Sequence, residues 1–468
     1  MTHRPQPSPY RPETAILSLG GDFYDPVEAA DFPQTILRFR NDRWCPAVGL
    51  EGLSDDEWLR HFGRFDPLEG SLPQPLALRY HGHQFRSYNP DIGDGRGFLF
   101  AQLRDDRGRL LDLGTKGSGQ TPYSRFGDGR LTLKGGVREV LATEMLEALG
   151  VETSRTFSLI ETGEALQRND EPSPTRSAVL VRLQHSHIRI GTFQRLAFLD
   201  QPENIRKLAE YGLQHYFGER GGEDAPERLL GHVARRGARL AASYIAAGFV
   251  HGVLNSDNIA ITCESFDYGP WRWTPYWDGA FTAAYFDHAG LYAFGRQPEA
   301  IHWDILQLAR SLLAISAPEA LEPQLEAFRP EFQNALRDSV CARLGVIPKN
   351  EEDADNALLV AIETALGAKT VTIDRFFFDW RGGRRRGPSP ADEHYEGATF
   401  ADFRTLIANY EPAASTDHPY WQREAPCSMH IDEVEAIWSR IDSDDDWSAL
   451  YRKIQDIRFM GEAMAPAA

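Results

Sequence analysis

Residues 251–269, reading HGVLNSDNIAITCESFDYG, constrain this chain more than any other stretch. Three polar residues, Asp257, Asn258 and Asp267, stand among Val250, Val253, Leu254, Ile259, Ile261 and Phe266. Charge in so apolar a setting needs a compensating partner. The run 259–262 reads as a short strand, with an Asp-Asn pair before it and an Asp-aromatic-Gly turn after it. An amide oxygen and a carboxylate suit a hard divalent cation. Mg²⁺ takes one or two carboxylates and fills its shell with phosphate oxygens and waters.

The same order occurs in kinase-like folds, where a catalytic-loop Asn and a later D-F-G Asp hold the Mg²⁺ of ATP. One position departs. The pattern H-R-D-x-x-x-x-N sets its base Asp five residues before the Asn, and there this chain has Val253. Valine cannot take a proton from a hydroxyl. The nearby carboxylate is Asp257, one residue before the Asn. Either the chain is a dead kinase, or its chemistry is rearranged around Asp257.

The upstream texture supplies a small β-rich lobe. YHGHQF (80–85) precedes NPDIGDGRG (89–97), FLFAQL (98–103) and the hairpin turn RDDRGR. LLDLGTKGSG (110–119) alternates Leu111, Leu113 and Thr115, with Lys116 at the strand's end, and a second glycine loop, RFGDGR (125–130), follows. Residues 135–149 read as a helix. Val137, Val140, Leu141, Met145 and Ala148 share a face, Glu139 lies in the first turns and Gly150 is the stop. Strands are expected at 156–160 and 178–183. Lys116 alone would be a snorkelling surface residue, but with Glu139 after it the phosphate-positioning ion pair is the better reading. GTKGSG is not a P-loop, which sets its Lys after the glycines and before Ser/Thr.

The two GDGR loops, with Gly93, Gly95, Arg96, Gly97, Asp128 and Gly129, let backbone N–H groups approach a phosphate beside an arginine. Arg182 ends an apolar strand, and Arg189 follows LQHSHI; they read as phosphate clamps or as ion pairs at a lobe edge. His185 and His187 form an H-x-H with no third ligand nearby, which favours structural or lining roles. His251 is expected to order the loop by hydrogen bonding.

Helices are expected at 204–217, 226–247 and 301–315, and the chain stays mostly helical from Pro318 to about Leu366. EEDAD (351–355) reads as a solvated face, WRGGRRRGPSP (380–390) as a basic, flexible exposed turn, and residues 430–457 as two amphipathic helices. DSDDD (442–446) opens like an EF-hand, but Trp447 holds the position that needs Gly, so a helix-capping turn is expected. The fold class is α+β: a protein-kinase-like two-lobed fold with an N-terminal extension and a helical C-terminal region. The expected divisions are 1–75 (Pro-rich extension, one helix near 54–62), 76–200 (small lobe), 201–345 (helical lobe) and 346–468.

Composition narrows the partners. A net charge of −18, from 50 Lys+Arg against 68 Asp+Glu, argues against nucleic acid, though not against ATP. The N-terminus lacks a secretory apolar segment, and no apolar run suits a membrane span. Cys45, Cys263, Cys341 and Cys427 lie far apart, without a zinc or disulfide pattern. The expected location is the cytoplasm.

Together these residues resemble the selenoprotein O family, through YHGHQF, IGDGRG, TKGSGQTPYSRFGDGR, VREVLATE, VRLQHSHIRIG, HGVLNSDN, FDYGP and YAFGRQPE, between about 76 and 311. The resemblance implies a kinase-like protein adenylyltransferase that binds ATP reversed and moves AMP to Ser, Thr or Tyr hydroxyls of protein substrates. It implies that Lys116 with Glu139, and Arg182 with Arg189, hold the phosphates. Gly93, Gly95, Arg96, Asp128 and Gly129 would line the nucleotide site, Asn258 and Asp267 would bind Mg²⁺ or Mn²⁺, and Asp257 would be the base. The alternatives are a kinase-type phosphotransferase and a non-catalytic ATP-binding scaffold. Three departures stand out. The C-terminus MGEAMAPAA lacks the family's redox Cys or selenocysteine. Ala283 stands where its partner Cys would be, and His81 replaces a small residue. Redox control by that disulfide is not expected.

Overall fold

The computed structural model describes residues 4–169, 171–413 and 415–465. Its first lobe is built on an antiparallel sheet. The central path runs Tyr24–Pro26, Leu76–Leu78, Leu99–Arg104, Leu110–Lys116, Thr175–Gln184, Arg155–Leu166 and Ile36–Arg40. Period-two alternation gives each strand two buried faces. Phe98 and Phe100 enter one apolar layer with Trp44, Trp58, Phe62 and Phe157. Leu99 and Leu110 enter the other, with the helix Leu133–Ala148.

Of residues 1–75, expected as an extension packed on a lobe, the described part from residue 4 onward is woven into the sheet instead. Tyr24–Pro26 and Ile36–Arg40 form its two edges, and Pro12–Glu13 pairs with Leu99–Arg104. These strands are too short for alternation to announce them, and long-range pairing alone defines them. The expected helix here is Asp55–Gly63, closed by a capping box between Ser54 and Glu57.

The chain crosses to the helical lobe through residues 185–189 and enters the helix Ile190–Phe198. The central helix Ala225–Ala247 has Pro226 in its first turn. It ends at Gly248, whose φ of +70° lets its N–H cap the Tyr244 and Ile245 carbonyls. That stop delivers Phe249–Val250 into a two-stranded pairing with Arg272–Trp273. Gln297–Leu312 and Phe328–Leu344 pack against the central helix. The expected strand at 259–262 reduces to a single bridge, Ala260 with Arg189, flanked by Ile190 N–H to Ile259 O at 2.9 Å and Ile261 N–H to Ile188 O at 3.0 Å. Backbone pairing therefore ties the 251–269 loop to the lobe crossing.

One surface expectation holds in part and one is corrected. In EEDAD, Glu351, Glu352 and Asp353 are exposed as expected, while Asp355 is buried and accepts from Lys349 N, Asn350 N and the Tyr410 hydroxyl. The basic loop after Trp380 is a clamp: Arg381 donates to the Ala342 and Arg343 carbonyls, Arg386 to Phe378 O and Trp421 O, and Arg385 pairs with Asp392. Arginines reach helix-end carbonyls as readily as carboxylates, and composition does not separate the two uses.

The last helices, Ile431–Asp444 and Ser448–Met464, return to the first lobe. Asp445 at their junction pairs with Arg38 and Arg176 on the sheet, so DSDDD is a helix-capping turn. Arg458 grips buried Glu144, on the helix that carries Glu139, at 2.7 and 2.8 Å. Removing one partner strands a buried charge. Arg458→Ala is expected to lower stability by about 3 kcal/mol, read from the urea midpoint. An unchanged midpoint would show that Glu144 is satisfied without it.

Candidate active site

The strand Leu110–Lys116 and its neighbour Thr175–Gln184 roof a cleft between the lobes. Cross-strand partners point to one face, and the register sets Arg182 opposite Gly114 and Leu180 opposite Lys116. Lys116, buried in this roof, bonds Glu139 Oε2 at 2.8 Å. The expected Lys–Glu pair is thus formed.

Asp267 joins it from the other lobe. Its carboxylate lies 3.0 Å from Lys116 Nζ, 3.5 Å from Arg182 and 3.6 Å from Arg189. Arg182 also reaches Glu139 Oε1 at 3.2 Å. Burial alone would raise the Asp267 pKa, but Lys116, Arg182 and Arg189 outweigh it and hold the carboxyl well below its ordinary range. Arg189 stacks over Tyr80 at 4.5 Å and Phe266 at 4.8 Å, bonds Asp94 Oδ1 at 3.3 Å, and donates to the backbone carbonyl of Asp257 at 2.7 Å.

Asp257 feels the push of burial as Asp267 does, but fewer cations, and its balance runs the other way. Burial is the main force on it, Arg189 opposes and Asp267 adds to it, and its pKa rises to about 6. Its Oδ1 is buried without a hydrogen-bond partner, although the residue lines the cleft. A small hairpin, Gly82–Gln84 with Ser87–Asn89, presses the loop from outside. His83 N–H donates to Ser256 Oγ at 2.8 Å and Phe85 N–H to Asn255 Oδ1 at 3.0 Å. Gly82 lies against the acid itself; a Cβ there would stand 2.9 Å from Asp257 Cβ and 3.1 Å from Oδ1.

Asn258 Nδ2 donates to Val253 O at 3.0 Å, which leaves Oδ1 as the oxygen donor. His251 behaves as a scaffold: Nε2 meets Phe266 O at 2.9 Å and Nδ1 accepts from Val253 N at 3.4 Å, joining the two halves of the motif. Asn258 offers an amide oxygen and Asp267 a carboxylate, the donor types a hard cation takes, although Asp267 lines the cleft and Asn258 does not. Among the described residues no three His, Cys, Asp or Glu side chains gather to hold a metal. An ion here would complete its shell from phosphate oxygens and waters.

The cavity measures about 670 Å³ and is lined by Gly93, Gly95, Arg96, Asp128, Gly129, Lys116, Arg182 and Arg189 with Asp257 and Asp267. That volume suits a nucleotide-sized ligand. The first glycine loop packs on the segment leading into the second; a Cβ on Gly93 would meet the Tyr123 ring at 2.5 Å, and one on Gly95 the Tyr123 carbonyl oxygen at 2.9 Å. Asp128 sits at the exposed mouth, paired with Arg168 at 2.8 Å. Glu139 does not line the cavity but lies behind Lys116.

Sequence reasoning passed over Asp94, Gly82 and Gln84, the last of which lines the cleft. Asp94 accepts from Leu78 N at 3.0 Å and binds Arg189. It stands inside the first GDGR, so an acid between two close-packed glycines was the available signal. Gly82 and Gln84 gave none, because only tertiary packing brings that hairpin to the loop. All four cysteines are buried and free. No described helix is long and apolar enough to cross a membrane.

Residues 9–458 match the family model described as protein adenylyltransferase SelO. Proteins named protein nucleotidyltransferase YdiU are similar over nearly the whole chain. That of Synechocystis sp. is 51% identical, covering 95% of this chain and 97% of its own. That of Gloeobacter violaceus is 44% identical (95% and 94%), and that of Trichodesmium erythraeum 42% (95% and 98%). Among solved structures, ROP2 from Toxoplasma gondii, described as a virulence factor with a protein-kinase fold and no enzymatic activity, aligns at 10% identity. Its TM-score is 0.28, over 62% of this chain and 83% of its own.

Proposed function

This chain belongs to the SelO family and is a nucleotidyltransferase; from that premise we propose that it transfers AMP from ATP to Ser, Thr or Tyr hydroxyls of protein substrates, with a divalent metal. The observation that carries the reading is Asp257. It is a buried carboxylate with an unpartnered oxygen at the wall of the cleft, whereas the kinase base position holds Val253.

In this mechanism the acceptor hydroxyl gives its proton to the Asp257 carboxylate as its oxygen attacks the α-phosphorus. The bond from the α-phosphorus to its bridging oxygen breaks, and pyrophosphate leaves. Lys116, Arg182 and Arg189 face the charge that develops on it. Glu139 and Asp267 hold those cations in place beforehand, which removes reorganisation from the barrier. A divalent ion bound by Asn258 and Asp267 would supply further charge neutralisation at the phosphate oxygens. Triphosphate pointing inward, towards Arg182 and Arg189, presents the α-phosphorus to Asp257. Kinase-type transfer is the second reading, and the absence of an acid at Val253 disfavours it.

The test is transfer to a protein acceptor from ATP labelled at the α or the γ phosphate. Label from the α position alone is expected; label from the γ position alone overturns the proposal. A second expectation concerns Gly82. A methyl there collides with the Asp257 carboxylate, and a displacement of this order costs about 10²-fold. Gly82→Ala should lower kcat by about that factor with ATP affinity intact. A wild-type kcat in this variant would mean the hairpin does not position the acid.

A further inference from the structure

His187 has no part in the mechanism above, yet the fold makes unusual provision for it. It lies on the lobe crossing, is only 6% exposed, and lines the same cavity as Lys116, Arg182 and Arg189. Neither ring nitrogen has a hydrogen-bond partner. Nδ1 stays 3.4 Å from Asp112 Oδ2, and that carboxylate already accepts from the backbone N–H of His187 at 2.8 Å and from Gln102 Nε2 at 2.8 Å. An unsatisfied buried polar group destabilises the fold unless something else offsets it.

The roof is cut away to admit the ring. Gly114 sits in the middle of the lysine strand, opposite Arg182. A Cβ there would lie 2.0 Å from His187 Nε2. Glycine weakens a strand interior and marks a close approach. The imidazole also stands edge-on to Phe266, the residue before Asp267, with centroids 6.4 Å apart. Strand side chain and hydrogen bond are both given up at this spot, which makes sense if a ligand completes the imidazole's bonding.

We propose that His187 is a further phosphate-binding residue, with a ring N–H donating to an oxygen of the terminal phosphates of the bound nucleotide. This inference rests on the inward-triphosphate reading. In the opposite orientation the same ring would meet the nucleoside end. A hydrogen bond to a charged oxygen is worth enough that its loss weakens binding by about tenfold or more.

The experiment is calorimetric titration of the full chain with ATP, AMP and inorganic pyrophosphate, for the wild type, His187→Leu and His187→Gln. His187→Leu should bind ATP and pyrophosphate about tenfold more weakly and AMP as before. His187→Gln, which keeps a donor, should recover most of the loss. Thermal melting without nucleotide reports whether the variants fold; if His187→Leu does not, His187→Asn, polar but too short to reach, takes its place. Unchanged ATP affinity in a folded variant overturns the proposal, and so does an equal loss for ATP and AMP. The labelled-phosphate assay on the wild type fails or succeeds independently: α-label transfer with an indifferent His187 rejects this inference alone, and γ-label transfer rejects the reading beneath it.

Discussion

Asp257→Asn should lower AMP transfer by about 10²–10⁴-fold, the usual worth of a positioned general base, while ATP affinity stays within a few-fold. The amide keeps the shape of the carboxylate and its place beneath the hairpin, but cannot take the hydroxyl proton. Transfer kinetics and nucleotide titration on one preparation separate the two effects. The pH dependence has a definite sign. Burial raises the Asp257 pKa to about 6, and the ionised form is the base. The wild-type rate should therefore climb as pH rises through about 6 and level off above it. An Asp257→Asn enzyme with wild-type turnover would remove the acid from the mechanism, and with it the central argument of the proposal.

Asp267→Ala should have an effect of similar size through a different route. Transfer should fall by about 10³-fold, as when an electrostatic contact to the transition state is lost. ATP binding should also stop responding to added Mg²⁺ or Mn²⁺. Asp267 faces Lys116, Arg182 and Arg189 together. Without it those cations are less neutralised, so metal-free ATP should bind at least as well as to the wild type. Titrations with and without metal check both parts; an unchanged metal response would take Asp267 out of the metal site. The two acids of one motif thus divide the work by environment. The one among cations stays ionised and the one buried beneath the hairpin titrates at about 6, which is how a fold separates base from electrostatic partner.

The linear chain already showed much of this. Asp257, Asn258 and Asp267 were readable because polar residues in an apolar run stand in a kinase-like order, an Asp-Asn pair and then Asp-aromatic-Gly. Lys116 and Glu139 were readable because a strand and a helix with clear periodicity carried them. Arg182 was readable as a charge ending an apolar strand. The Leu133–Ala148 and Ala225–Ala247 helices fell within a few residues of their expected places, since caps and periodicity are local. Other features were hidden for equally physical reasons. The edge strands at Tyr24–Pro26 and Ile36–Arg40 exist only through their partners. The arginines of 380–390 look solvated until the carbonyls they grip are folded beside them.

By itself, then, the sequence determined the chemical inventory: which acid is missing at Val253, which carboxylate stands nearby, and which cations accompany them. Residue type and local spacing carry that information. Only the tertiary structure decided what each group experiences. It set Asp267 among three cations, left an oxygen of Asp257 unpartnered under Gly82, and opened the roof at Gly114 for His187. Burial and the approach of groups distant in sequence control desolvation and Coulomb energy, and no window of the linear chain contains either.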